Sequence, residues 1–260
     1  VPLHNQEARR CSQMSKRWYQ ENRRDPWRRE AKAKGYRARS AYKLKQIQER
    51  FEIIRKGDYV LDIGCHPGGW TQVAVEEVGD DGYVVGVDLL STSPVEGATI
   101  IIGDVTNPKT IEQINKELEG HFLNCVISDI SPRLTGRYDT DQAISLELST
   151  MVLDAAMPIL SPGGSFVTKI FQGVGIEGLI EAARMRFTNV QRFAPTASRS
   201  SSSETYLVCR NKLPKIKKEA KGRTAYEQLK DHLKSLDIVI EEDDVEIEPK
   251  IGFRKYVKSE

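Results

Sequence analysis

The sequence predicts an α/β domain, a mostly parallel sheet with helices on both faces. Three observations carry this. From Asp58 onward, short apolar runs of strand length alternate with longer stretches of helical periodicity, and such alternation builds parallel sheets. Acids or a lysine stand where these runs end, at Asp62, Asp88, Asp104, Asp129 and Lys169, which puts polar groups at the crevice where such sheets bind ligands. A glycine-rich stretch, Asp62-Ile63-Gly64-Cys65-His66-Pro67-Gly68-Gly69-Trp70, joins the first strand to the helix after it.

Residues 1–24 read as a flexible basic arm, and the segment 25–55 reads as helical. Pro26 suits a first helical position with Asp25 as its cap. Ala41, Leu44, Ile47 and Gln48 recur at helical spacing, and Gly35 divides the segment into two helices. Strands follow at Tyr59–Asp62, Tyr83–Asp88, Thr99–Gly103, Leu123–Asp129, Ser165–Phe171, Asn189–Phe193 and Glu204–Arg210. Helices are expected at Thr71–Val78, at 141–160 and at Leu179–Arg186, the second stopped by Ser161-Pro162-Gly163-Gly164. The last two strands have no convincing helix between them and are expected to pair antiparallel at one edge. The domain is therefore drawn as 25–212. Residues 213–260 form a charged extension, with a helix at 224–236 and an acidic stretch at 237–248. No pattern of core size appears in it, so a tail or small accessory element is expected.

The 260 residues are 39% hydrophobic and 29% charged, a globular composition that fits one large domain. No apolar run approaches the roughly 18 residues of a membrane span, and no secretory leader is read at the N-terminus. A monomer in the cytoplasm is the expectation. Cys11, Cys65, Cys125 and Cys209 are scattered without metal-ligand spacing, so neither a disulfide framework nor a metal site is expected. Cys125 and Cys209 lie within strand patterns and read as buried apolar groups. Residues 1–56 hold 17 Lys or Arg against 6 Asp or Glu. Charge so concentrated is the footprint of a phosphate-backbone partner. Trp18, Tyr19, Trp27, Tyr36 and Tyr42 are interleaved with it and offer rings for stacking on bases. Arg28, Arg29, Lys32 and Lys34 are the cations expected to meet that backbone.

The glycine turn is not a dinucleotide fingerprint, because His66 stands where the second glycine would be, and it lacks the Gly-Lys-Ser/Thr of a P-loop. A turn without either phosphate signature suits a cofactor without a pyrophosphate. S-adenosylmethionine fits. Gly64, Gly68 and Gly69 offer backbone groups to its amino acid end. Asp88 is placed to accept from its ribose hydroxyls, Asp104 from its adenine amino group, and Asp129 to favour its sulfonium. His66 reads as a turn residue near the ligand, and Trp70 either packs under the adenosine or anchors the helix.

Four motifs then define a resemblance. The Pro67-Gly68-Gly69-Trp70 turn, Ser128-Asp129-Ile130-Ser131-Pro132, Lys169-Ile170-Phe171 and Ser203-Glu204-Thr205-Tyr206 resemble the FtsJ/RrmJ RNA 2′-O-ribose methyltransferases. The run Arg37-Ala38-Arg39-Ser40-Ala41-Tyr42-Lys43-Leu44 matches as well, and the likeness covers about residues 25–210. It implies a Rossmann-like class I methyltransferase fold, a seven-stranded mostly parallel sheet with an antiparallel edge strand. It also implies a catalytic tetrad of Lys43, Asp129, Lys169 and Glu204. Its cofactor contacts would fall at Asp62, Gly64, Pro67, Gly68, Gly69, Trp70, Asp88, Asp104 and Asp129. The implied substrate is RNA, with ribosomal RNA of the large subunit and its uridine ribose favoured over transfer RNA.

A ribose 2′-hydroxyl is a poor nucleophile and must lose its proton. Lys169 is the candidate base, or else a group that orients the hydroxyl and stabilises developing alkoxide. Arg133 and Arg137, in the loop after Pro132, are candidates to hold phosphates. The serine run 198–203 is a rim of the RNA groove or a linker. A non-catalytic RNA-binding assembly factor would be favoured by loss of a tetrad member, and none is lost. The strand end Ser128-Asp129-Ile130-Ser131-Pro132 disfavours methylation of base nitrogens.

Overall fold

The computed structural model describes residues 25–132, 135–199 and 202–238; the basic arm, Arg133, Ser200, Ser201 and the acidic stretch after residue 238 lie outside the described residues. Asp25 accepts from the Arg28 amide at 3.2 Å and caps α1 (Pro26–Ala33). Gly35, at φ 78°, turns the chain into α2 (Ala41–Phe51), whose Ala41, Leu44 and Ile47 are fully buried as their spacing predicts. β1 (Tyr59–Ile63) runs through the glycine turn into α3 (Gly69–Val78). β2 (Tyr83–Asp88), β3 (Ala98–Ile102), α4 (Pro108–Glu117), β4 (Leu123–Ser128), α5 (Tyr138–Ala156), β5 (Leu160–Phe171), α6 (Ile176–Arg184), β6 (Phe187–Phe193), β7 (Glu204–Lys212) and α7 (Ala225–Ser235) follow.

Seven strands form one sheet in the order β3-β2-β1-β4-β5-β7-β6. β3, β2, β1, β4 and β5 are parallel; β7 runs antiparallel to both β5 and β6. The antiparallel pairing thus falls at the expected edge, with β7 inserted inside β6. The strand order reverses between β1 and β4, which opens the crevice at their carboxyl ends.

α4, with Asn107 as its cap and Pro108 in its first turn, was not expected from the sequence, and several other boundaries shift by a few residues; two shifts have an evident cause. α5 ends at Ala156 rather than at residue 160, because Pro158 has no N–H to continue it. Leu160 is already paired with Leu123, so β5 takes in the Ser161–Gly164 run through a register shift, with Gly163 at φ 81°.

Alternation along the strands divides the core. Leu61, Ile63, Phe166 and Ile170 pack against α4, α5, α6 and α7; Val60, Ile127, Val167, Tyr206 and Val208 pack against α1, α2 and α3. Asp62, Lys169 and Glu204 share the parity of this second set, so the sheet aims them toward α2 and α3. The described part of the chain after residue 212 is packed on the domain. Ala225 and Leu229 of α7 are buried in the first cluster. The fully buried Arg186 donates to Ala182 O, Gln228 Oε1 and Arg223 O. Asp154 accepts from the Ala225 and Tyr226 amides. Among the described residues no helix is long and apolar enough to cross a membrane.

Candidate active site

The four expected catalytic residues converge. Lys169, on β5, is paired in register with Tyr206 of β7, and Glu204 stands at the start of β7. Asp129 directly follows β4, the next strand over. Lys43 approaches from the first turn of α2. Both lysines are 5% exposed, which matters because buried cations need partners. Lys169 Nζ donates to Asp129 O at 2.7 Å and to Asp129 Oδ1 at 3.2 Å. Lys43 Nζ lies 2.5 Å from Glu204 Oε1, a charge contact rather than an aligned hydrogen bond. Two lysines and two carboxylates thus form two adjacent ion pairs.

Tyr206 joins the pairs. It is completely buried, its hydroxyl donates to Asp129 Oδ1 at 2.7 Å, and Lys43 Nζ lies 5.8 Å from its ring centroid. Burial, with Asp129 and Glu204 beside it, pushes its pKa well up, so the hydroxyl stays a donor. Burial also pushes the Asp129 carboxyl up. The Lys169 and Lys43 charges and the Tyr206 hydroxyl outweigh that, and its pKa is lowered. Asp129 is therefore a carboxylate at neutral pH.

The cofactor end lies beside these pairs. Gly64 has φ 77°, and a Cβ there would stand 3.1 Å from Ile130 Cβ. Gly68 has φ 107°, and a Cβ would meet the Arg37 Nη1 at 2.9 Å. Gly69 opens α3, where a Cβ would come within 3.2 Å of Ala38 Cβ. The first amides of a helix lack intrahelical partners and carry partial positive charge. Asp62 is fully buried; its Oδ2 accepts from Thr71 Oγ1 at 2.7 Å and its Oδ1 has no partner. Asp88 Oδ2 accepts from the His66 amide at 2.9 Å and Oδ1 from the Leu90 amide at 2.8 Å. Each oxygen keeps a lone pair for a further donor. Asp104 Oδ1 accepts from the Thr106 amide and hydroxyl at 2.9 and 2.6 Å. His66 is exposed, with Nδ1 3.2 Å from Thr92 Oγ1, a turn residue as expected.

Of the two roles read for Trp70, the contacts describe an anchor of the helix. Its indole is 3% exposed, donates from Nε1 to Ser40 O at 2.8 Å, and leans on Tyr206 with centroids 5.5 Å apart. Its side chain therefore anchors α3 to α2.

Three features escaped the sequence reading. Tyr206 was legible by parity, two residues after Glu204 on the same strand face. Leu89, Leu90 and Ile102 leave apolar side chains exposed at the carboxyl ends of β2 and β3, near Asp88 and Asp104. Arg37 clamps two loops: its Nη1 donates to Pro67 O at 3.3 Å and Ser93 O at 2.5 Å, and its Nη2 donates to Pro94 O. No local pattern announces that clamp.

The residues present fit S-adenosylmethionine. A glycine cradle closed to any Cβ, an orphaned buried carboxylate oxygen at Asp62, and acids with apolar neighbours at β2 and β3 match an amino acid end, a ribose and an adenine.

Fold and site together define a methyltransferase of the nucleotide-binding α/β class. Residues 36–212 match the model of the FtsJ-like methyltransferase family. The chain is 48% identical over 184 residues to ribosomal RNA large subunit methyltransferase E of Methanothrix thermoacetophila, covering 71% of each chain. It is 42% identical over 194 residues to the protein of that name from Azoarcus sp., covering 75% of this chain and 95% of the other. A crystal structure described as a ribosomal RNA methyltransferase from Plasmodium falciparum superposes with a TM-score of 0.62 at 25% identity, over 69% of this chain and all of that one. The chain belongs to the FtsJ-like methyltransferase family, and its methyl donor is S-adenosylmethionine.

Proposed function

We propose that this protein transfers the methyl group of S-adenosylmethionine to a ribose 2′-hydroxyl of RNA, with a uridine of large-subunit ribosomal RNA as the acceptor. The observation that carries the reading is the convergence of Lys43, Asp129, Lys169 and Glu204 on one face of the sheet, beside the glycine turn. The basic surplus over residues 1–56 supports an RNA substrate, and the names of the relatives favour ribosomal RNA.

When bound, the cofactor supplies a methyl group activated by a cationic sulfur. Asp129 keeps a carboxylate where that cation is favoured. Gly64, Pro67, Gly68 and Gly69 would hold the amino acid end, while Asp88 and Asp104 would hold the ribose and adenine. Lys169 meets the 2′-hydroxyl on Nζ, as the group that takes its proton or the one that orients it and stabilises developing alkoxide. Lys43, paired with Glu204, keeps a second positive charge nearby, which stabilises developing alkoxide. Tyr206 fixes the Asp129 carboxylate from below. Much of the rate comes from holding the hydroxyl in line with the methyl group.

The test is transfer of a radiolabelled methyl group to ribosomal particles and to free transfer RNA, followed by nucleoside analysis. A 2′-O-methyluridine in large-subunit RNA is the expected product. Label in transfer RNA alone would change the substrate, and label on a base would overturn the reaction.

A further inference from the structure

A cavity of about 510 Å³ lies outside the tetrad, between α1 and the turn that follows it. Arg28, Lys32, Arg37 and Arg39 line it together with Ala31, Gly35, Tyr36 and Ala38. This volume is within the roughly 300–1,000 Å³ typical of ligand pockets. The lining carries no acid.

Three of the four lining cations stand without an acid partner among the described residues, as does Arg29 outside the cavity. Lys34 is matched by Glu30, Lys45 by Glu76 and Arg39 by Asp25. Arg28 and Lys32 have no side-chain acid partner among the described residues. Arg37 donates only to neutral carbonyls, so its charge also stands uncompensated. Arg28 and Lys32 are one helical turn apart on α1, and like charges at that spacing repel. Among the described residues Arg28, Lys32 and Arg37 thus leave the cavity with a surplus of positive charge, which an anion would offset.

The same residues tie the cavity to the catalytic crevice. Arg37 bonds Pro67 of the glycine turn, Ala38 packs at Gly69, and α2 carries Lys43 onward from Ser40. An extended polyanion seated here would run directly beside the cofactor end of the site.

We propose that this cavity seats the phosphodiester backbone of the RNA strand next to the target ribose, with Arg28, Lys32 and Arg37 as its cations. The inference rests on the RNA reading above and gives that reading a location. It also divides the basic residues of α1. Arg28 and Lys32 contact RNA, whereas Arg29 and Lys34 do not line the cavity.

Two charge-matched variants of the full chain test it, Arg28→Gln with Lys32→Gln and Arg29→Gln with Lys34→Gln. Each removes the same formal charge. Binding of a short labelled single-stranded RNA is measured against salt, with calorimetric cofactor binding as the check on folding. The first variant should lose about 1.4 in the slope of log affinity on log salt, about 0.7 for each of two contacts. Its affinity at low salt should fall about tenfold or more. The second variant should track the wild type. Equal losses in both would mean diffuse attraction and overturn the pocket, as would an unchanged first variant. Intact binding without ribose methylation of any RNA by the wild type would overturn the functional reading while leaving the pocket standing.

Discussion

Asp62 offers a test of how the cofactor end of the sheet is built. Burial pushes its carboxyl up, with Asp129 and Asp88 adding to the effect against the Thr71 hydrogen bond, from 3.8 to about 7. The unfolded chain releases this proton near pH 3.8, while the folded chain keeps it to about pH 7. Between those values the folded state binds more protons, so stability falls as pH rises. About 3 pK units at 1.36 kcal/mol each amount to roughly 4 kcal/mol lost across that window. Asp62→Asn does not titrate, yet it keeps an acceptor for Thr71 Oγ1. Its new amide N–H faces the place where Oδ1 has no partner, a pH-independent cost of about 1–3 kcal/mol.

The expected outcome is a difference that moves with pH. Relative to wild type, Asp62→Asn should gain on the order of 4 kcal/mol between pH 4 and 7.5. Other titrating groups, such as Asp129, are common to both proteins and largely cancel. Urea unfolding of the cofactor-free proteins at several pH values measures it. A stability difference that stays flat over this range would show that Asp62 is ionised in the folded state, and would refute the reasoning.

Lys169→Arg keeps a cation able to orient the hydroxyl but cannot supply a neutral amine to take its proton. Turnover should fall by about 10²–10⁴ with cofactor affinity nearly unchanged, and substantial activity in this variant would reduce Lys169 to an orienting role. Gly64→Ala places a Cβ 3.1 Å from Ile130 Cβ in a left-handed backbone. It should cost about 1–2 kcal/mol in stability and weaken cofactor binding, read by thermal melts with and without cofactor. Leu229→Ala should destabilise the whole domain by about 2–5 kcal/mol, with one cooperative transition. A separate early transition would mean that α7 is an independent appendage.

Much of this architecture is local information. Asp25-Pro26 caps a helix, Gly35 ends one, and acids close the parallel strands, all visible without tertiary contacts. The tetrad is read from the resemblance, and strand parity agrees with it for two members: Lys169 shares parity with Val167, and Glu204 with Tyr206 and Val208. What escaped depends on residues far apart in the chain. The insertion of β7 between β5 and β6 is set by pairing partners, not by alternation within either strand. The docking of α7 rests on Arg186 and Asp154, whose buried polar bonds reach across to residues 223–228. A charged sequence such as 213–224 gives no sign that α7, just beyond it, will be held in this way. The end of α5 was legible after all, since Pro158 marks it, but the apolar periodicity continues through Leu160 and outweighs the proline in a sequence reading.

The arrangement of the tetrad also constrains how it evolved its charge balance against stability. A buried ion pair contributes little net stability, whereas removing one partner leaves a buried charge uncompensated. Here the Lys169–Asp129 pair and the Lys43–Glu204 pair lie side by side, and Tyr206 contacts both through its hydroxyl and its ring. Losing Glu204 therefore strips Lys43 of its partner and shifts positive charge toward Asp129. The four residues share neighbours, so single substitutions among them are expected to be non-additive. The scaffold tolerates this cluster because the surrounding sheet is rigid and apolar. Val167 and Val208 are paired and buried as the next row on the same face as Lys169 and Tyr206, and Trp70 leans on Tyr206 from α3. The cost of burying four charges is thus offset within one cluster, whose contacts hold each lysine against a carboxylate.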